Sequence, residues 1–127
     1  MSLKDYIAQV RARLGESDIV VTLEVVDMRV LLNRGYFRAR LSLSNGDFLE
    51  VAESFAVRDG QLLTLDYRYQ WMDGSKQVLR KRWDSVKHFP GLPNFPHHVH
   101  VGDEVNVEAG GCLSILEFIE LMEAEMK

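Results

Sequence analysis

Apolar residues at helical spacing predict one helix near the start of the chain and another near its end. The first carries an apolar stripe (Leu3, Ile7, Val10 and Leu14), with Ser2 as its N-cap and Gly15 at its end. The second covers 113–126. Ser114 and Glu117 match a capping box at its beginning, and its wide apolar face predicts deep packing.

Between these helices, β-branched and aromatic runs separated by turn signals predict an antiparallel meander. A first strand begins after Asp18 with IVVTLEVV, and four more are predicted at about 36–44, 47–58, 61–72 and 75–84. Asn45-Gly46, Asp59-Gly60 and Asp73-Gly74 mark the turns. Residues 85–111 are expected to form a long loop that holds one short strand, HHVHV. We therefore predict a single α+β domain over 1–127, with a meander sheet of about five strands and both terminal helices packed on it.

Two-residue turns would fix the strand pairing and hence the two faces of the sheet. They place Arg38 opposite Glu53, and Glu53 opposite Asp66. Tyr67 and Tyr69 then lie on the other face. Arg80 and Arg82 would join these tyrosines if Asp73-Gly74 were also a two-residue turn, whereas a slip of one residue would move both arginines away.

Both faces mix apolar and ionisable residues, and Glu53 among apolar neighbours is the strongest anomaly. A buried carboxylate needs a partner, and Arg38 is the predicted one. This pair is either a structural cross-strand ion pair or a carboxylate held for base or ligand work.

Aromatic and basic residues also interleave near the predicted third turn. Tyr67 and Tyr69 with Arg80 and Arg82 suit nucleic-acid contact, because aromatic rings stack on bases and guanidinium groups hold phosphates. The simpler interpretation is that the aromatic residues are good strand formers and that the arginines are solvent-exposed charges at the edge of the sheet.

Three of the four histidines fall within FPHHVH, residues 95–100. On a strand, His98 and His100 point to one side and His97 to the other. Two histidines alone make a poor metal site, and the candidate third ligands are His88, Asp84 and Glu53. Because no recognised metal motif is present, no metal ligand or other cofactor is predicted. Metal-free acid–base catalysis is the alternative, since histidine titrates near neutrality.

Composition and the distribution of apolar residues indicate whether the chain folds and in which compartment it lies. At 46% hydrophobic, 127 residues can bury a core. No apolar run is long enough to span a membrane and the N-terminus lacks a signal-peptide core, so we expect a cytoplasmic protein. The single cysteine, Cys112, excludes an intrachain disulfide and a multi-cysteine zinc site.

The net charge of −4 argues weakly against nucleic-acid binding, but its distribution is uneven. An acidic C-terminal end contrasts with a basic stretch directly before the histidines, which contains Lys76, Arg80, Lys81, Arg82 and Lys87 with Asp84.

In order, the chain carries Asn45-Gly46 followed by LEVAESF, then YRYQW, RWD, FPHHVH and a short helix. From about Tyr36 to the C-terminal helix it resembles the TumE-type toxins of prokaryotic toxin–antitoxin modules. The resemblance implies a small toxin neutralised by a helix-turn-helix antitoxin from an adjacent gene, with RNA cleavage as its expected activity. The family pattern falls on Glu53, Tyr67, Tyr69, Arg82, Asp84, His98 and His100.

These observations together predict a toxin with a metal-independent ribonuclease site. His98 and His100 would act as base and acid, Arg82 would stabilise phosphate charge, and Glu53 would be the remaining catalytic residue. The predicted substrate-binding residues are Tyr67, Tyr69, Arg80, Asp84 and Arg38. The alternatives are a non-catalytic protein- or nucleic-acid-binding module and a His-ligated metal-dependent hydrolase. A homodimer is also compatible with the sequence, and the acidic net charge departs from strongly basic, ribosome-docking toxins.

Overall fold

The computed structural model describes residues 1–85, 96–103 and 107–126. The elements within these ranges are α1 Leu3–Glu16, β1 Val20–Val30, β2 Arg34–Leu43, β3 Phe48–Arg58, β4 Gln61–Met72, β5 Leu79–Asp84, β6 His98–Val101, β7 Val107–Ala109 and α2 Ile115–Glu125. The predicted α+β class is confirmed. The sheet of the described chain has seven strands where about five were predicted, and β7 is a strand that the sequence did not indicate.

The seven strands form one antiparallel meander, in which each strand pairs with its neighbour in chain order. Both helices cover the same face of this sheet, called here the helix face. Tyr6 of α1 packs on Phe55 of β3, with ring centroids 4.7 Å apart. Phe118 of α2 packs on Tyr69 of β4 and Trp83 of β5, at 4.4 and 4.9 Å. The hydrophobic core therefore lies between the helices and this face, and the other side of the sheet is called here the open face.

The predicted N-caps are confirmed, whereas the predicted end of the first helix at Gly15 is short by one residue, because α1 continues to Glu16 and Ser17 is its C-cap. Each helix begins with a capping box, Ser2 with Asp5 in α1 and Ser114 with Glu117 in α2. None of the helices within the described residues is long and apolar enough to cross a membrane.

The predicted pairing of Arg38 with Glu53 is wrong by one residue. The amide of Gly46 donates to the carbonyl of Leu43, and Gly46 has φ +88°, so Asn45-Gly46 belongs to a longer bulged turn. Glu53 consequently pairs with Phe37, while Arg38 pairs with Ala52. A shift of one residue exchanges the faces, and this shift brings Glu53 onto the helix face.

The second turn is correct, because Arg58 pairs with Gln61 across Asp59-Gly60. A bulge then skips Leu65, since Phe55 pairs with Thr64 but Ser54 pairs with Asp66. The predicted pairing of Glu53 with Asp66 is therefore also wrong. Glu53 lies opposite Tyr67, and both side chains face the helices.

The third turn is longer than two residues. The amide of Asp73 donates to the carbonyl of Val78, and the Asp73 carboxylate accepts from the amides of Gln77 and Val78. In the resulting register Gln70 pairs with Arg82. The condition under which Arg82 would share a face with the tyrosines is therefore not met, and Arg82 lies on the open face, as the alternative register predicted.

Candidate functional site

A compact polar cluster lies on the open face where β5 meets β6. Its members are Arg82 and Asp84 from β5 and His98 and His100 from β6. The strand register places Asp84 beside His98 and Arg82 beside His100. These side chains belong to buried residues, with relative exposures of 8% for Arg82 and 1% for each of the others. The sequence prediction that His98 and His100 share one side of a strand is confirmed.

The carboxylate of Asp84 is the centre of this cluster. Its Oδ1 lies 2.8 Å from His98 Nε2, and its Oδ2 lies 3.6 Å from His100 Nε2. Oδ2 also accepts a hydrogen bond from Arg82 Nε at 3.1 Å. Guanidinium and imidazole groups from two strands therefore converge on one buried carboxylate.

The backbone fixes the orientation of the His98 ring. His98 Nδ1 lies 2.8 Å from the carbonyl oxygen of Pro96. Because a carbonyl oxygen can only accept, the proton of this hydrogen bond belongs to Nδ1. The Nε2 atom is then the ring nitrogen that is presented to Asp84.

Asp84 is the candidate third metal ligand that the described part of the chain brings to the two histidines. Asp84, His98 and His100 each offer one ligand atom, and these three atoms lie within 4.8 Å of one another. Glu53, which the sequence also offered, lies on the other face of the sheet. His88, the remaining candidate, falls outside the described residues.

A pocket of about 400 Å³ lies on the open face next to the cluster. Its wall includes Arg38, Arg68 and Ser85, and Arg68 pairs directly with Asp84 across β4 and β5. Arg38 is held by Glu50 at 3.1 Å, whereas Arg68 donates to the neutral side chain of Gln70 at 3.0 Å. The charge of Arg68 is therefore presented to the pocket without being neutralised by that contact.

Glu53 is separate from the polar cluster and belongs to the core. Its Oε1 accepts from the Tyr6 hydroxyl at 2.6 Å and from the amide of Ile115 at 3.1 Å. Its Oε2 accepts from the Thr64 hydroxyl at 2.7 Å. Burial raises the pKa of Glu53, although these hydrogen bonds oppose the rise. The contact with Ile115 places the carboxyl group at the N-terminus of α2, which is a structural position.

Tyr67 and Tyr69 also lie in the core, at 5% and 0% exposure. The Tyr69 hydroxyl donates to the carbonyl of Leu113 at 2.7 Å, and the Tyr67 hydroxyl donates to that of Gly111 at 2.9 Å. Burial raises the pKa of both phenols. Their rings support the segment that leads into α2, and the structure does not bring them to the histidine cluster.

Two further residues of the basic and histidine-rich motifs lie apart from the cluster. Arg80 forms an ion pair with Asp47 at 2.6 Å. His97 stacks on Tyr67 with ring centroids 5.7 Å apart, and its Nδ1 lies 2.9 Å from the Tyr67 hydroxyl. Because that hydroxyl donates its hydrogen to Gly111, it accepts from His97. His97 thus points away from His98 and His100, as predicted.

Arg68 and Ser85 are candidate site residues that the sequence reasoning missed. Arg68 belongs to the YRYQW motif, of which only the two tyrosines were predicted as site residues. The alternation of that strand already separates Arg68 from both tyrosines, so a correct β4–β5 register would have placed it beside Asp84.

Comparisons with known proteins give one finding. Neither the curated proteins nor the solved structures contain a significant match to this chain. A family model described as Toxin TumE matches residues 8–126, which is nearly the whole length. The chain therefore belongs to the TumE toxin family.

Proposed function

We propose that this toxin acts by cleaving RNA on the open face of its sheet. The observation that carries the proposal is the convergence of Arg82, Asp84, His98 and His100 beside a pocket with arginines in its wall. RNA is the substrate class because such a site combines phosphate-binding cations with groups that transfer protons or hold a metal ion. The cytoplasm is the compartment that this substrate implies.

The arginines would bind the phosphate backbone. Arg68 is exposed in the pocket and pairs with Asp84, so a phosphate bound by Arg68 would lie next to the cluster. Arg38 stands in the same wall with its charge partly compensated by Glu50. Arg82 is held by Asp84 and adds positive charge where charge develops on the phosphorus oxygens during cleavage.

Cleavage by the substrate's own 2′-hydroxyl needs a base, an acid and a cation. In the metal-free form of the proposal, His98 and His100 supply the two proton-transfer groups and Arg82 supplies the cation. Asp84 orients all three. Glu53, Tyr69 and Arg80 take no part, because their contacts hold the core and the β2–β3 turn. Tyr67 borders the pocket, but its hydroxyl is engaged with Gly111 and His97, so we assign it no role in catalysis.

A toxin family implies an antitoxin partner. We propose that this partner is a helix-turn-helix protein encoded by an adjacent gene. Co-expression of that reading frame should abolish growth arrest, and the two proteins should co-purify. The homodimer stays a prediction, which the mass of the isolated toxin in solution would test.

The decisive experiment is expression of the His98→Ala/His100→Ala variant without antitoxin, followed by sequencing of RNA ends. We expect growth arrest and new RNA ends with the native chain, and neither with the variant. His97→Ala is the matched control, since it removes a neighbouring imidazole from the other face of the sheet. Growth arrest by the double variant at native protein levels would refute the proposal. Arrest by the native chain without new RNA ends would favour a non-catalytic binding module.

A further inference from the structure

We infer that Asp84, His98 and His100 bind one divalent transition-metal ion of the zinc class. The inference deepens the proposed function by naming a cofactor for the same site, and it rests on that function for the identity of the substrate. The binding of the ion is argued from the geometry of the three side chains alone.

The donor set matches known chemistry for such ions. Two imidazole nitrogens and one carboxylate form a common three-ligand set for a catalytic zinc ion, which leaves one position open for water or substrate. Two ligands at the usual distance of about 2.0–2.1 Å from one zinc ion stand roughly 3–3.5 Å apart. His98 Nε2 lies 2.8 Å from Asp84 Oδ1 and His100 Nε2 lies 3.6 Å from Asp84 Oδ2, and one ligand atom from each of the three residues lies within 4.8 Å of the others, so small side-chain shifts would bring the set to this spacing.

The surroundings of His98 resemble those of a metal ligand. A metal-binding histidine commonly donates its second ring N–H to a backbone carbonyl or carboxylate, which fixes the tautomer. His98 does this through Nδ1 and the carbonyl of Pro96. With Nδ1 held by Pro96, Nε2 is the ring nitrogen turned towards the Asp84 carboxylate, at 2.8 Å from its Oδ1.

Burial favours ligation over direct proton transfer by the rings. Both histidines are 1% exposed, which suits groups that hold an ion better than groups that must contact substrate themselves. Arg82 binds the same carboxylate and opposes the ion by charge repulsion, so affinity should be lower than in a four-ligand structural zinc site. The excess positive charge would favour an anion, such as a phosphate oxygen, at the open position.

In this form of the site, the roles of the residues change but the substrate does not. His98, His100 and Asp84 would hold the ion, which would supply a base at neutral pH by lowering the pKa of a bound water. Arg68 still binds the phosphate from the pocket, and Arg82 fixes the orientation of Asp84.

The test is metal binding by the whole chain, purified without a histidine tag and stripped with a chelator. Titration with Zn²⁺ should show one bound ion for each chain, and Co²⁺ should give visible absorption bands of a four- or five-coordinate site. Mg²⁺ should not compete, because it prefers oxygen ligands and retained water. His98→Ala and His100→Gln should each weaken Zn²⁺ binding at least about tenfold. His97→Ala and Glu53→Gln are the controls and should leave it unchanged.

Circular dichroism of each variant shows whether it is folded, and His100→Gln tests the site if His98→Ala does not fold. Absence of Zn²⁺ and Co²⁺ binding by the folded native chain, or equal weakening by His97→Ala, would overturn the inference. Zinc binding without RNA cleavage would instead refute the proposed function and leave the metal site standing. RNA cleavage by metal-stripped protein in the presence of chelator would refute a catalytic role for the ion and leave the proposed function standing, while the titration alone decides whether the ion binds.

Discussion

Two buried carboxylates on opposite faces of one sheet have very different partners. Glu53 on the helix face accepts hydrogen bonds from neutral donors, which are the hydroxyls of Tyr6 and Thr64 and the amide of Ile115. Asp84 on the open face contacts a guanidinium group and two imidazoles. Exposure does not distinguish them, at 0% for Glu53 and 1% for Asp84.

If the proposed function is correct, the difference separates a structural carboxylate from a reactive one. The partners of Glu53 come from α1, β4 and α2, so its hydrogen bonds connect elements that are far apart in the chain. The partners of Asp84 come from its own strand and from β6, and they can carry charge, transfer protons or bind metal. The type of partner, rather than burial, indicates chemistry.

The largest difference in RNA cleavage should appear between two single variants, each of which replaces one of these carboxylates with an amide. Asp84→Asn should lower RNA cleavage by about 100-fold or more, because it removes the charge that orients the cations and imidazoles. Glu53→Gln should keep cleavage within about twofold. Rates on a labelled RNA, at matched amounts of folded protein, would measure both. A comparable loss in Glu53→Gln would restore Glu53 as a catalytic residue.

Deletion of the Glu53 side chain should instead affect stability. Glu53→Ala should lower the free energy of unfolding by about 3 kcal/mol, since Tyr6, Thr64 and Ile115 would lose their acceptor. Glu53→Gln retains an acceptor oxygen and should cost about 1 kcal/mol or less at neutral pH. Urea unfolding followed by circular dichroism measures both. Equal stability of Glu53→Ala and the native chain would contradict the structural role.

A third variant tests whether the pocket beside Asp84 contributes to RNA cleavage. Arg68→Gln should reduce RNA cleavage about tenfold by loss of a charge-assisted phosphate contact. Arg11→Gln on the exposed surface of α1 changes the net charge equally and should have little effect. If both variants lost activity to the same degree, overall charge rather than the pocket would be responsible.

A smaller loss of stability is expected when the hydroxyl of Tyr69 is removed. Tyr69→Phe removes the hydrogen bond to Leu113 and should lower the free energy of unfolding by about 1 kcal/mol. A surface ring that stacks on RNA bases would tolerate this change without loss of stability. Thermal unfolding of the two proteins, without RNA, separates the two roles.

The smallest expected effect is the dependence of stability on pH. Because burial raises the pKa of Glu53 above its ordinary value of 4.5, the folded chain binds more protons than the unfolded chain between these two pKa values. This contribution to stability is full below pH 4.5 and is lost as pH rises through the folded pKa. The stability of the native chain relative to Glu53→Gln should therefore fall with rising pH across that window. A difference that does not change with pH would show that Glu53 titrates normally.

The sequence predicted the helices and the turn positions well, because caps and turn residues act locally. The register at the Asp59-Gly60 turn was correct, but the register across Asn45-Gly46 was wrong, because Asn45-Gly46 suits both a two-residue turn and a bulged one. The bulge at Leu65 had no signal in the sequence. Each error moved side chains by one position, which exchanged the faces of the sheet and placed Glu53 and the tyrosines in the wrong surroundings.

The candidate site was predictable only in the part that depends on local signals in the sequence. Alternation within one strand is local, so His98 and His100 were correctly separated from His97. The meeting of Asp84 with these histidines depends on the pairing of β5 with β6, which local patterns do not determine. Asp84 therefore remained one of three candidate ligands until the fold was known.

The hydrogen bond from the amide of Ile115 to Glu53 joins residues 62 positions apart, so it can form only after Ile115 has been synthesised. The ribosome synthesises every member of the polar cluster by His100, before α2 exists to cover Trp83 with Phe118. Until the chain has emerged through Phe118, the sheet lacks the helix that buries the far side of β5. We therefore expect the sheet beneath the polar cluster to reach its native packing only after α2 has been synthesised.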